Sequence, residues 1–164
     1  MKNSRFADSN VIITGGSSGI GFSLAKEFAL QGSNLFLIAR NKEKLELAAG
    51  EIKKINNNIS VEIYSGDLSD PEQAEKIITA IGEKCGNIDV LINNAGIIRC
   101  GRFEDQPLSV MQEVFRINYW STVFVTRFAL KYIRKSPQPQ LGFVSSVAGY
   151  TGLFGYCNYS PTKF

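Results

Sequence analysis

Apolar residues run along this chain in two alternating rhythms. Short continuous runs occur at Val11-Ile12-Ile13, Leu35-Phe36-Leu37-Ile38-Ala39, Val61 with Ile63 and Tyr64, Asp89-Val90-Leu91-Ile92 and Leu141 to Val144. Their length and β-branched content predict buried strands. Between them the apolar positions space out to helical intervals: Leu24, Ala25, Phe28 and Ala29; a stretch from Lys42 to Ile55; one from Pro71 through Ile77, Ile78 and Ile81; and a long one from Pro107 to about Lys135. Ser69-Asp70-Pro71-Glu72 carries a capping aspartate and a proline at the first helical turn. Strands that are apolar throughout need both faces covered, so the alternation predicts an α/β protein: a Rossmann-like, doubly wound parallel sheet with helices on both faces. Ligands of such sheets bind beyond the carboxyl ends of the strands.

The segments that follow the strands therefore hold the candidate site. Thr14-Gly15-Gly16-Ser17-Ser18-Gly19-Ile20-Gly21 joins the first strand to the first helix, and its glycines let the backbone turn tightly against a pyrophosphate at the helix start. The second strand ends in Ala39-Arg40-Asn41. An acidic residue there would suit the ribose 2′-hydroxyl of NAD, whereas a guanidinium suits a 2′-phosphate, so NADPH is the expected cofactor. Lys44 can assist or lie on the polar helix face. Asp67, at the end of the third strand, fits either an adenine edge or a turn. Asn93-Asn94-Ala95-Gly96 lets a ring approach the backbone, and Asn118, in the middle of the long helical pattern, needs a partner or a purpose.

Composition narrows the chemistry. The 164 residues suit one domain and carry a net charge of +3 with both signs interspersed, which favours a small-molecule partner over nucleic acid. Histidine is absent, so a Ser-His-acid site is excluded within this chain and no metal is expected. Cys85, Cys100 and Cys157 have no CxxC spacing and suggest a reducing, cytoplasmic setting. The polar stretch Met1 to Asn10 has no apolar core of signal-peptide length, and no run of about 18 apolar residues occurs.

The last nineteen residues hold Ser146, Tyr159 and Lys163. Tyr159 and Lys163 stand four apart, which on a helix places them on one face. A neighbouring ammonium lowers a phenol's pKa and brings proton exchange nearer working pH.

Taken jointly and in order, the Thr14 to Gly21 turn, Asp67-Leu68, Asn93 to Gly96, Asn118, Ser146 and Tyr159-Ser160-Pro161-Thr162-Lys163 resemble the short-chain dehydrogenase/reductase family. Within it, Ala39-Arg40-Asn41, Gly101 to Asp105, Ile117-Asn118-Tyr119, Phe143 to Gly149, Gly152 to Gly155 and Tyr159 to Phe164 resemble the 3-ketodihydrosphingosine reductases. The resemblance implies that NADPH gives hydride to a ketone, with 3-ketosphinganine, a sphingoid base, as substrate and a secondary alcohol as product. It implies catalytic roles for Asn118, Ser146, Tyr159 and Lys163. Ser146 would polarise the carbonyl and Tyr159 protonate it; Lys163 would lower the tyrosine's pKa and hold the ribose, and Asn118 would support a water path. Gly15, Ser17, Ser18, Gly19, Ile20, Gly21, Arg40, Lys44, Asp67, Leu68, Asn93, Ala95, Gly96, Tyr159 and Lys163 would hold the cofactor. The long helix around Asn118 resembles the family's dimer-forming helix and implies a homo-oligomer. Family members continue the Tyr159 helix and add further strands, so the chain reads as an amino-terminal part of an NAD(P)-binding domain. A membrane anchor beyond Phe164 is left open. The alternative is a truncated, catalytically inactive module that binds a nucleotide or a partner.

Overall fold

The computed structural model describes residues 4–164, so the first three residues of the polar amino-terminal stretch lie outside it. Five strands, β1 (Asn10–Thr14), β2 (Asn34–Ala39), β3 (Val61–Ser65), β4 (Val90–Asn93) and β5 (Gln140–Phe143), form one sheet in the order β3-β2-β1-β4-β5. Every pairing is parallel, as the doubly apolar runs require.

Side chains of β1 alternate between two cores. Val11 and Ile13 pack with Leu35, Leu37, Leu45 and Ile52 beneath α1 (Gly19–Leu30) and α2 (Lys42–Ile55). Ile12 packs on the other face with Ile38, Ile78, Ile81 and Tyr132, beneath α3 (Pro71–Cys85) and α5 (Ser121–Ile133). The α3–α5 crossing is close because Gly82 has no side chain: a Cβ there would lie 2.3 Å from the Tyr132 ring. Caps set the helix bounds. Asn41 accepts from the Lys44 amide at α2, and Asp70 accepts from the Glu72 and Gln73 amides at α3, with Pro71 in the first turn.

Strand order reverses between β2-β1 and β4-β5, which opens a crevice above the carboxyl ends of β1 and β4. The long helical pattern is not one α-helix. It divides into α4 (Leu108–Phe115), a π turn (Arg116–Trp120) and α5, with αR backbone at both junctions. Among the described residues, no helix is long and apolar enough to cross a membrane, and no cluster of three or more His, Cys, Asp or Glu could hold a metal ion.

Candidate active site

Thr14 is the knot at the crevice. Its hydroxyl donates to the Ile92 carbonyl at 3.3 Å and accepts from the amides of Asn94 and Ala95 at 2.9 and 3.0 Å. The Asn94 side-chain Nδ2 donates back to the carbonyls of Thr14 and Gly15 at 2.9 and 3.3 Å. The β1 and β4 ends are thus tied into one platform. Gly15, at φ +67°, and Gly21 make the turn possible: a Cβ on Gly21 would lie 2.4 Å from the Gly15 carbonyl oxygen. Ser18 heads α1 without spending its side chain on a cap, and no acidic residue sits in the first turn. The free N–H groups there suit a pyrophosphate.

Two clefts of about 230 and about 460 Å³ meet over this platform, sharing Gly15, Ser17, Ser18, Ala95, Gly96 and Ile97. Joined, they are of the size typical of ligand sites, ~300–1,000 Å³. The first runs over Ile38, Ala39 and Leu68 to Arg40 and Lys44. Arg40 directly follows β2 and Lys44 lies in the first turn of α2, so both cations stand at the same end, and neither forms an ion pair among the described residues.

Asp67 lies across this cleft. Its Oδ1 accepts from the Ser69 amide at 3.0 Å and from the Ser69 hydroxyl at 2.5 Å. Arg116, at the start of the π turn, donates to Ser69 Oγ at 2.5 Å and to Asp67 Oδ2 at 3.4 Å. Burial works against the carboxylate, but the Ser69 hydrogen bonds and the Arg116 charge outweigh it and hold Asp67 below its ordinary pKa.

The second cleft leads from the platform to Ser146, Tyr159 and Lys163. These three lie on turns. Ser146 caps a 3₁₀ turn (Val147–Gly149), its Oγ accepting from the Ala148 amide at 3.2 Å. Tyr159 and Lys163 flank a second 3₁₀ turn (Ser160–Thr162), so the single α-helix face expected from their spacing is not what holds them. The turn closes through i→i+3 bonds, Thr162 to Tyr159 and Lys163 to Ser160, with Pro161 in its first positions, where no N–H is needed. Lys163 Nζ nevertheless lies 5.8 Å from the Tyr159 ring centre and donates to the Val144 carbonyl at 2.8 Å. Burial lowers the Lys163 pKa. The Lys163 carbonyl accepts from the Ser145 hydroxyl and approaches Gly149 so closely that a Cβ there would lie 2.2 Å from it.

Asn118 is buried in the π turn, and its side chain reads a peptide as a neighbouring strand would. Oδ1 accepts from the Ile97 amide at 2.8 Å, and Nδ2 donates to the Ile97 carbonyl at 2.9 Å and to Thr162 Oγ1 at 3.0 Å. Asn118 therefore joins the wall of the platform to the Tyr159–Lys163 turn. Gly96 passes between them: its Cβ position lies 3.2 Å from Asn118 Oδ1 and 3.5 Å from Lys163 Nζ.

Gly15, Ser17, Ser18, Ala95 and Gly96 line both clefts, while Arg40, Lys44, Asp67 and Leu68 line the first. Ile20 lines the second, Gly19 stands on the open side of the turn, and Gly21 lies beneath the turn rather than on the cleft surface. Asn93 points away from both clefts: its Nδ2 donates to Thr126 Oγ1 at 3.0 Å, and its buried Oδ1 has no partner. Ser69 and Arg116 were not among the expected site residues, and Thr14 and Asn94, although inside the expected Thr14–Gly21 and Asn93–Gly96 segments, were given no role of their own. Thr14 ends β1 and Asn94 directly follows β4, neighbouring strands of the reversal, a signal readable once the strand order is known.

The short chain dehydrogenase family model matches residues 9–164, the stretch that carries the glycine turn, both clefts and the Ser146, Tyr159 and Lys163 group. The chain belongs to the short-chain dehydrogenase/reductase family. It is 42% identical over 158 residues to a 3-ketodihydrosphingosine reductase of Bos taurus, covering 94% of this chain and 48% of that protein. An 11-beta-hydroxysteroid dehydrogenase-like 2 of Arabidopsis thaliana is 36% identical, covering 93% of this chain and 49% of that protein. The chain thus spans about half the length of these curated relatives. Levodione reductase superposes with a TM-score of 0.92 at 31% identity, covering 97% of this chain and 62% of that one. A Shigella flexneri short chain dehydrogenase complexed with NADP superposes with a TM-score of 0.93 at 28% identity, covering 99% and 69% respectively.

Proposed function

We propose that this chain forms the cofactor-binding and proton-donating part of an NADPH-dependent reductase that converts a ketone to a secondary alcohol, with 3-ketosphinganine as substrate. The observation that carries the reading is the second cleft, which brings Ser146, Tyr159 and Lys163 to the same platform as Gly15 and Gly96. The residues fit a phosphorylated dinucleotide: the glycine cradle and unspent α1 amides suit the pyrophosphate, and Arg40 with Lys44 suits a 2′-phosphate. A bound nicotinamide would supply the hydride. Tyr159 donates its phenolic proton to the carbonyl oxygen, and the Ser146 hydroxyl orients and polarises that oxygen. The Lys163 ammonium, held between Val144 and the Tyr159 ring, favours the phenolate left behind. Asn118 fixes the position of this turn through Thr162. The name of the bovine relative supports the sphingoid substrate. Exposed Phe115 at the end of α4 and exposed Tyr119 and Trp120 in the π turn support a homo-oligomer.

The test is a fluorescence titration with NADPH and NADH on wild type and Arg40→Ala, followed by turnover of 3-ketosphinganine. NADPH binding that weakens about tenfold or more in the variant, with NADH little changed, supports the cofactor reading. Failure of a folded chain to bind either cofactor sinks it. A second reading, a nucleotide-binding module without turnover, is favoured by one observation: the Lys163 ammonium is already engaged by the Val144 carbonyl. Cofactor binding without turnover would select it.

A further inference from the structure

The ionisable groups lining the first cleft are two cations, Arg40 and Lys44, and one anion, Asp67. An unbalanced carboxylate there would repel a 2′-phosphate and offset part of what Arg40 contributes. Arg116 is not in the lining, yet it reaches from the long helix to Asp67 Oδ2 at 3.4 Å and to Ser69 Oγ at 2.5 Å. Ser69 in turn donates to Asp67 Oδ1, so guanidinium, hydroxyl and carboxylate form one closed group. We propose that Arg116 is a specificity-determining residue for the phosphorylated dinucleotide, acting by neutralising Asp67 rather than by touching the phosphate. The proposal rests on the cofactor reading above.

A single guanidinium nitrogen, Nη1, reaches both Ser69 and Asp67 while the rest of the charge, always present on an arginine, stays half-exposed. With Arg116 in place the cleft presents Arg40 and Lys44 unopposed. Without it, Asp67 cancels one of the two. A carboxylate so held can still accept a hydrogen bond from an adenine amine, which both cofactors possess along with the pyrophosphate, so the ratio between them reports the charge effect on the 2′-phosphate.

The test uses the two adenine halves, 2′,5′-ADP and 5′-AMP, titrated calorimetrically into wild type, Arg116→Gln, Asp67→Asn and the double variant, at low and high salt. Arg116→Gln should lower the preference for 2′,5′-ADP about fivefold at low salt and by less at high salt. Adding Asp67→Asn should restore that preference even if both ligands bind more weakly. A role limited to bracing the loop would weaken both ligands alike, leave the ratio unchanged and overturn the proposal, as would a double variant that restores nothing. Should Arg116→Gln not fold, Asp67→Asn alone decides: its preference for 2′,5′-ADP must rise above wild type, and an unchanged or smaller preference overturns the proposal. A wild type that does not prefer 2′,5′-ADP removes the cofactor reading and this inference together. A wild type that prefers it, with Arg116→Gln unchanged, removes this inference alone.

Discussion

The two ends of the cleft are made differently. The nucleotide end stands on β1 and β2, whose central residues are inaccessible to solvent, and its turn is locked by the Thr14 hydroxyl and the Asn94 amide. The catalytic end stands on turns: Val147, Tyr150 and Phe154 around it are exposed, and Tyr159 and Lys163 are held by a few contacts with Val144, Ser145, Gly149 and Asn118. Placement by a core is insensitive to any one side chain at the surface, whereas placement by a few hydrogen bonds fails when one is lost. Fold stability should therefore reside at the first end, and chemistry should be lost at the second with little change in stability.

The sharpest division comes from Tyr159→Phe. Under the proposed reaction it should lower turnover about 10²- to 10⁴-fold while the midpoint of urea unfolding stays the same, as kinetics and denaturation on one sample would show. A large loss of stability would mean that the catalytic turn contributes to the core after all. Thr14→Val should behave in the opposite way. It leaves the half-buried Asn94 and Ala95 amides without their acceptor, costing about 1–3 kcal/mol in urea unfolding and weakening cofactor binding. Gly82→Ala tests the same core far from the cleft: the added methyl meets the Tyr132 ring and should cost about 1–3 kcal/mol with cofactor affinity unchanged.

The smallest expected effect is a pH dependence. Burial lowers the folded-state pKa of Lys163 below 10.5, so between the folded value and 10.5 the unfolded chain binds more protons. The cost of charging Lys163 in the fold is fully present below the folded value, and stability recovers as pH rises through that window. Lys163→Met should remove the rise, which urea unfolding at successive alkaline pH values would register.

Much of the fold was legible because local and global signals agreed. The Asp70 cap with Pro71 marked the start of α3, and the doubly apolar strands implied a parallel sheet with two covered faces. The cleft was legible wherever a residue follows a strand. What stayed hidden depends on contacts that sequence spacing does not encode. Arg116 meets Ser69 across 47 positions, and Asn93 turns its amide toward Thr126 rather than into the cleft. The Tyr-x-x-x-Lys spacing suggested an α-helix, whereas these residues close through i→i+3 bonds as a tighter turn. Asn118 invited a partner but did not reveal that the partner would be the Ile97 peptide.

The π turn around Asn118 sets a phase. Each α-helical residue advances the helix by about 100°, and a π turn winds one more residue into the same turn. Upstream of it, Val114 is buried; downstream, Val125, Ala129 and Tyr132 are. Because the wide turn absorbs that residue, deleting one position between Arg116 and Trp120 would let the ladder close as an ordinary α-helix with α4 and α5 left in place. What would go is the widened turn from which Asn118 grips the Ile97 peptide. The π turn lodges one residue beyond the α-helical count without turning α5 away from the sheet.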